Sequence, residues 1–521
     1  MAESFAEAQS ELPESGESVS LADRRTPELV FAMVGPVASG VTTTANMLKS
    51  LLEDEYGYQV GYYKVSDIIE QCADLVAPPH DKLKTGHERT KRLQDIGNEL
   101  RKTFSSKYLV EKCIQKIAIK RVDVDGYKNI GATAVPMPLR QAHIIDSVKH
   151  PEEVKILRDV YGDIFWLLTV FAPEQVRERR LDRLGFDRSQ VSSLISRDEH
   201  EDVTYGQKVR DTSHLADFFV RNDKENDEGL AATLSRYLAV VFNVSVQTPT
   251  RDESAMYNAM AAASRSACLS RQVGAAIYSR EGELLGLGWN DVPKAGGGLY
   301  GVEERGLDHR CYKWGGKICH NDARKEDLYK KITSSLRVIE AGSPLLATGA
   351  KEDEVRSALR TTDIRSLIEY SRAVHAEMEA IISVARGNKA GLVGSTLYST
   401  TFPCHSCARH IVASGIFKVV YIEPYPKSLA LDLHDDAISI DEKDERGKVV
   451  FLQYEGIAPK NMLRLFNHGV ERKIGGKVLE LAKKEAQPVF PPPIDSFTHR
   501  EQMIVKEIGD KEEAKKRTSR E

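Results

Sequence analysis

Apolar and polar positions alternate along this chain in two separate α/β patterns. The first opens with the unbroken apolar run 29–34, passes a Gly-rich turn and a helical stretch at 43–55, and continues with a short strand at 60–65. Further strand signals stand at 143–146 and 164–171. They are separated by helices beginning near Pro151 and Pro173, proline being tolerated in a first helical turn. With a last helix at 229–242, this predicts a parallel sheet covered on both faces. The polar stretch 245–252 contains Pro249 and marks a boundary. A second pattern follows: helix 253–269, strands 273–279 and 284–289, a Gly-rich insertion at 295–316, two or three helices, then strands 396–400 and 417–422.

The expected architecture is therefore two three-layer α/β/α domains in series. The first would span 28–246 and the second 250–470. Residues 1–27 are rich in Glu, Ser and Ala and poor in large apolar groups, so burial cannot offset the entropy of ordering them, and a disordered tail is expected. Residues 471–521 are highly charged and include Pro491, Pro492 and Pro493, so they read as a loosely ordered C-terminal tail with some helix.

Composition narrows the function classes. In 521 residues, Lys and Arg nearly balance Asp and Glu for a net charge of −4, which is not the footprint of a protein that grips nucleic-acid backbone over a wide surface. Seven cysteines, an odd number scattered through the chain, suit a reducing compartment rather than a disulfide framework. With no membrane-length apolar run and no signal-like start, a cytoplasmic protein is expected.

The chemistry concentrates in His375-Ala376-Glu377 and Pro403-Cys404-His405-Ser406-Cys407. A bare Cys-x-x-Cys fits a structural zinc site or a redox pair equally well. The preceding Pro403 and the His-x-Glu that opens a helix turn the reading to a zinc nucleobase deaminase. His375, Cys404 and Cys407 would hold Zn²⁺ with one position left for water, whose pKa falls towards neutrality. Glu377 would move that water's proton to ring N3 and then to the departing amino group. His405, inside the turn, points away from a metal held by its neighbours.

The first domain carries a second motif. Gly35, Ser39, Gly40 and Thr42 have the spacing of a phosphate-cradling loop between a strand and a helix. Val41 stands where the phosphate-reaching lysine belongs, so nucleotide binding without phosphoryl transfer is expected. Arg177, Arg180 and Arg183, at three-residue spacing, either share a phosphate-facing side of a helix or lie on a solvated face.

The run 264–275, the turn Gly288-Trp289-Asn290-Asp291-Val292-Pro293 and the two metal motifs together resemble the deoxycytidylate deaminase branch of the cytidine deaminase superfamily. A degenerate P-loop kinase-like domain ahead of it, with Tyr454-Glu455-Gly456-Ile457-Ala458-Pro459-Lys460 and Leu465-Phe466 beyond, is similar to the anti-phage dCTP deaminase family, over about 28–469. The resemblance implies conversion of deoxycytidine nucleotides, dCTP or dCMP, to deoxyuridine nucleotides, which depletes dCTP during phage infection. It also implies that Asn290 bonds the sugar and base edge, the alternative being that Asn290 only shapes the turn before Pro293. A homo-oligomer and a regulatory nucleotide at the first domain are expected with it.

Arg265 and Arg271 are candidate phosphate ligands, since arginine binds phosphate bidentately, and a surface charge fits either equally well. His309, Cys311, Cys319 and His320 have residue types suited to a second metal site, and free thiols in a loop fit them as well. Two rival functions remain: a polynucleotide C-to-U editor, disfavoured by the charge balance, and a P-loop phosphotransferase with an inert deaminase domain, disfavoured by Val41.

Overall fold

The computed structural model describes residues 22–77, 86–130, 133–199, 201, 203–223, 228–340, 352–367, 370–387, 391–442, 447–466 and 471–518. Leu29–Val34 (β1) is buried at all six positions, as a strand covered on both faces requires. It is followed by Val41–Asp54 (α1), Gln59–Lys64 (β2), Tyr108–Asp123 (α2), Gln141–Asp146 (β3), Pro151–Tyr161 (α3), Phe165–Phe171 (β4), Glu174–Arg183 (α4), Arg188–Glu199 (α5), Phe218–Arg221 (β5) and Glu228–Phe242 (α6). The five strands pair in parallel in the order β5-β4-β1-β3-β2. Phe31 and Met33 share a core with Ala45 and Leu48 of α1 and Leu234 and Leu238 of α6. Val30 and Ala32, on the opposite face of the strand, are just as buried.

A second unit, 249–454, has its own sheet. Its elements are Arg251–Ala263 (α7), Gly274–Tyr278 (β6), Leu284–Trp289 (β7), His320–Glu340 (α8), Glu352–Leu359 (α9), Ala376–Arg386 (α10), Thr396–Thr401 (β8), His405–Ala413 (α11), Lys418–Glu423 (β9), Ile438–Ser439 (β10) and Val449–Gln453 (β11). The strand order is β10-β11-β9-β8-β6-β7, parallel from β10 to β8 and antiparallel across β8-β6-β7. Gly288 allows α10 to lie close on β7, because a Cβ there would sit 2.1 Å from the Ala376 carbonyl oxygen.

Three expectations are corrected. The helix expected over 253–269 ends at Ala263. Beyond it the Ser266 hydroxyl donates to the Asn290 carbonyl, and the Ala267 N–H is taken by Asp291, so side-chain partners replace the helical ones.

The two domains do not follow in series. Residues 455–521 belong with 1–248, so the second unit is inserted into the first, and the boundary expected at 470 falls between Tyr454 and Glu455. Gly456–Ile457 (β12) adds an antiparallel edge strand to β5, which is where the motif 454–460 goes.

The C-terminal stretch, expected to be loosely ordered with some helix, does contain a helix, Asp495–Thr518 (α12), but that helix is packed rather than loose, with Phe497 and Glu501 fully buried. Arg121 of α2, 1% exposed, bonds Glu28 at 2.6 Å and Glu501 of α12 at 3.2 Å. Of the N-terminal stretch expected to be disordered, residues 1–21 lie outside the described residues, whereas Arg24 pairs with Asp495 and the Thr26 N–H donates to the Pro492 carbonyl at 3.0 Å. No helix among the described residues is long and apolar enough to cross a membrane.

Burial depresses the pKa of His143, on β3, to about 3. A base whose folded pKa lies below its unfolded value contributes stability that is present above about pH 6.5 and is lost as pH falls towards 3. Between pH 7 and 4.5 the cost is about 3 kcal/mol. Denaturant unfolding of His143→Gln at the two pH values should therefore show a smaller acid loss than the wild type; equal losses would refute a neutral buried imidazole.

Candidate active site

Val374 bridges to Asp291, its N–H donating to the Asp291 carbonyl at 2.9 Å, and this extended segment ends at His375, the residue that caps α10. On the other side β8 runs into Pro403, and Cys404 caps α11 with its sulfur accepting the Cys407 N–H. Two helix starts thus bring the three expected ligands together. His375 Nδ1 lies 3.4 Å from each sulfur, and the three ligand atoms fall within 4.8 Å of one another. Tetrahedral zinc with bonds of about 2.0–2.3 Å spaces its ligands by about 3.6–3.8 Å, so the donor set and its spacing fit that metal.

The electrostatics suit a thiolate site. The Cys404 thiol is pulled down to about 4, first by the hydrogen bond from Cys407 and then by His375. The same sharing, with burial, raises Cys407, and the hydrogen bond to Cys404 raises His375. Glu377, only 4% exposed, is raised by burial, against which the His375 charge acts. Its Oε1 accepts from the Ser399 hydroxyl at 3.5 Å and its Oε2 from the Cys407 thiol at 3.4 Å. His405 stands outside the ligand group, as its place in the turn suggested.

A cavity of about 230 Å³ opens onto His375, Glu377 and Cys404. Asn290 lines it, but its amide is engaged with its own chain: Oδ1 accepts the Val273 N–H and Nδ2 donates to the Arg271 carbonyl, both at 2.7 Å. It therefore shapes the loop that forms one wall. Arg271 also lines the cavity and is ion-paired with Glu423. Arg265 is not brought there; its guanidinium lies over the exterior of the Trp289 ring, 3.7 Å from the centroid, and the residue is exposed.

Cys311, Cys319 and His320 line the cavity while His309 does not. Among the described residues they form no second group of three potential ligands, and Cys319 instead faces the Ser270 hydroxyl at 3.4 Å. Arg372 was passed over in the sequence, although an arginine three residues before a metal ligand was a usable signal. It also lines the cavity.

In the first unit the Gly-rich loop has the expected turn, with Gly40 in the left-handed region at φ 91° and the Thr42 hydroxyl donating to Asp146 at 2.8 Å. Ser39 is fully buried, and its hydroxyl has no hydrogen-bond partner among the described residues. The loop already holds a carboxylate: the Val37 N–H donates to Asp198 of α5 at 2.7 Å. Lys149 bridges Asp198 at 2.8 Å and the Gly35 carbonyl at 3.0 Å, which puts a lysine beside the loop although Val41 is not one. The three arginines of α4 do not act as one face. Arg180 ties the Ala38 and Asn222 carbonyls, Arg177 is buried and Arg183 is exposed.

A family model described as the cytidine and deoxycytidylate deaminase zinc-binding region matches residues 249–423. The deoxycytidylate deaminase of Enterobacteria phage T2 is 30% identical over 164 residues, covering 31% of this chain and 74% of the relative. That of Saccharomyces cerevisiae is 26% identical, over 44% of this chain and 57% of its own. Among solved structures, the dCMP deaminase of cyanophage S-TIM5 in complex with dCMP and dUMP aligns at 19% identity with a TM-score of 0.23, covering 40% of this chain and 99% of that one.

Proposed function

The chain belongs to the deoxycytidylate deaminase family, and from that premise we propose that it converts the deoxycytidine nucleotides dCTP and dCMP to deoxyuridine nucleotides with the help of Zn²⁺. The observation that carries this reading is the buried Glu377 carboxylate beside the close set of His375, Cys404 and Cys407. Those three residues would hold the zinc, which when bound supplies a Lewis acid that lowers the pKa of a water.

The remaining steps belong to the chain's own groups. Water adds at C4 of the cytosine ring, the bond from C4 to the amino nitrogen breaks, and ammonia leaves. Glu377 takes one proton from the water and gives it to N3, then takes the second from the new C4 hydroxyl and gives it to the amino nitrogen, leaving C4 as a carbonyl. Burial, which raises its pKa, suits a carboxylate that must hold a proton and return it. The Ser399 hydroxyl keeps one carboxylate oxygen in place.

The anti-phage role, by depletion of dCTP in the cytoplasm, is part of the proposal. It rests on the resemblance of the two-part chain. The Gly-rich loop of the first unit, Gly35, Ser39, Gly40 and Thr42, is proposed to take a regulatory nucleotide whose phosphate competes with Asp198 for the Val37 N–H.

Incubating the full chain with each cytosine nucleotide and separating the products tests the reading. Deoxyuridine nucleotides, about one zinc per chain, and a lowered dCTP pool in expressing bacteria are expected. Intact cytosine nucleotides from fully zinc-loaded protein would sink the proposal, as would unchanged pools accompanied by Glu377-dependent C-to-U changes in RNA or DNA.

A further inference from the structure

A nucleotide substrate brings at least two negative charges into the cavity, and something must meet them. The candidates from the sequence are spent: Arg271 is paired with Glu423, and Arg265 lies outside. Arg310 is committed to Asp308 at 2.8 Å. Arg372 differs. It lines the cavity, stacks its guanidinium 4.3 Å from the Trp314 ring centroid, and donates one N–H to the His309 carbonyl at 3.0 Å. No carboxylate lies within ion-pair distance of it among the described residues. A guanidinium has five N–H donors in a planar fork that matches phosphate oxygens, so most of its capacity is open.

A second group stands beside it. Trp314, whose ring carries Arg372, also stacks on His320 at 5.9 Å between centroids. His320 lines the cavity, and its Nε2 is buried without a hydrogen-bond partner among the described residues. It is also the first residue of the 21-residue helix α8, and a helix start favours an anion. Depth agrees with chemistry. Glu377, which works on the base, is 4% exposed, whereas the Trp314 ring against which Arg372 stacks is 44% exposed, so Arg372 stands on the solvent side of Glu377, where the 5′ end of a nucleotide would lie.

We infer that Arg372, assisted by His320, seats the 5′-phosphate of the substrate and sets the preference for a nucleotide over a nucleoside. The inference rests on the deaminase reading above. The bridge from Val374 to Asp291 holds Arg372 in register with His375, so the phosphate and metal ends of the site are carried by one short extended segment.

Steady-state kinetics of the full chain on dCMP, dCTP and deoxycytidine test it, with Arg372→Gln and Arg372→Lys. Arg372→Gln should raise KM for the nucleotides by about tenfold to a hundredfold, the worth of a hydrogen bond to a charged group, with much less effect on kcat. The nucleotide-to-nucleoside ratio of kcat/KM should fall by the same factor, and Arg372→Lys should restore part of it. An unchanged nucleotide KM, or equal losses on nucleotide and nucleoside, would overturn the assignment. Wild-type inactivity on every cytosine substrate would instead defeat the deaminase reading. In that event, protection from heat unfolding by inorganic phosphate decides the matter for Arg372: loss of protection in Arg372→Gln supports it, and equal protection overturns it.

Discussion

Glu377→Gln will keep its zinc and its fold while kcat for deamination falls by about two to four orders of magnitude. The amide preserves the volume of a side chain that is 4% exposed and can still accept from the Ser399 hydroxyl. It cannot take up the proton that water must lose. Metal content should be untouched, because the proposed ligand set is His375, Cys404 and Cys407 and the carboxylate only neighbours it, 3.4 Å from the Cys407 sulfur. Metal analysis and product separation on the same preparation separate the two roles. Loss of zinc would make Glu377 a ligand, and full activity would remove it from the chemistry.

Arg121→Met will destabilise the first unit by about 3–5 kcal/mol, because it leaves two carboxylates buried with no cation between them. Glu28 and Glu501 are both raised by burial even with Arg121 pulling the other way. Without it they must protonate or draw water into a core lined by Phe497, over whose ring the guanidinium now sits. The sign of the pH dependence follows. A carboxylate whose folded pKa is raised contributes most below its unfolded pKa and loses that contribution as pH rises through the folded value, so the defect should shrink on acidification. Denaturant midpoints at two pH values, with Glu28→Gln and Glu501→Gln added to Arg121→Met, provide the check. A single substitution as stable as the wild type would show that the triad holds nothing together.

Much of the site was legible because its determinants are local. A His-x-Glu at a helix start and a Cys-x-x-Cys after proline each occupy one turn of chain, and the caps of α10 and α11 are built within those turns. The six buried positions of β1 and the left-handed Gly40 likewise follow from residues adjacent in sequence.

What escaped was set by partners far along the chain. Asp198 lies 161 positions from the Val37 N–H it accepts, and Glu501 lies 380 from Arg121. Neither pairing leaves a periodic trace, so a charged C-terminal stretch reads as a loosely ordered tail with some helix and a Gly-rich loop reads as free. The same reason separates Arg265 from Arg271: residue type proposes both as phosphate ligands, but Arg265 lies over Trp289 outside the cavity, whereas Arg271 lines it and is paired there with Glu423.

The sequence by itself therefore determined which residues form the candidate site, His375, Glu377, Cys404 and Cys407, and the two α/β patterns, since each motif is written within one stretch of chain. Only the tertiary structure decided that the second unit is inserted into the first, that Asp198 takes the Val37 N–H of the Gly-rich loop, and that Arg372 lines the cavity beside Trp314. Those outcomes depend on which distant side chains neutralise one another once the chain has closed, and no local propensity encodes that choice.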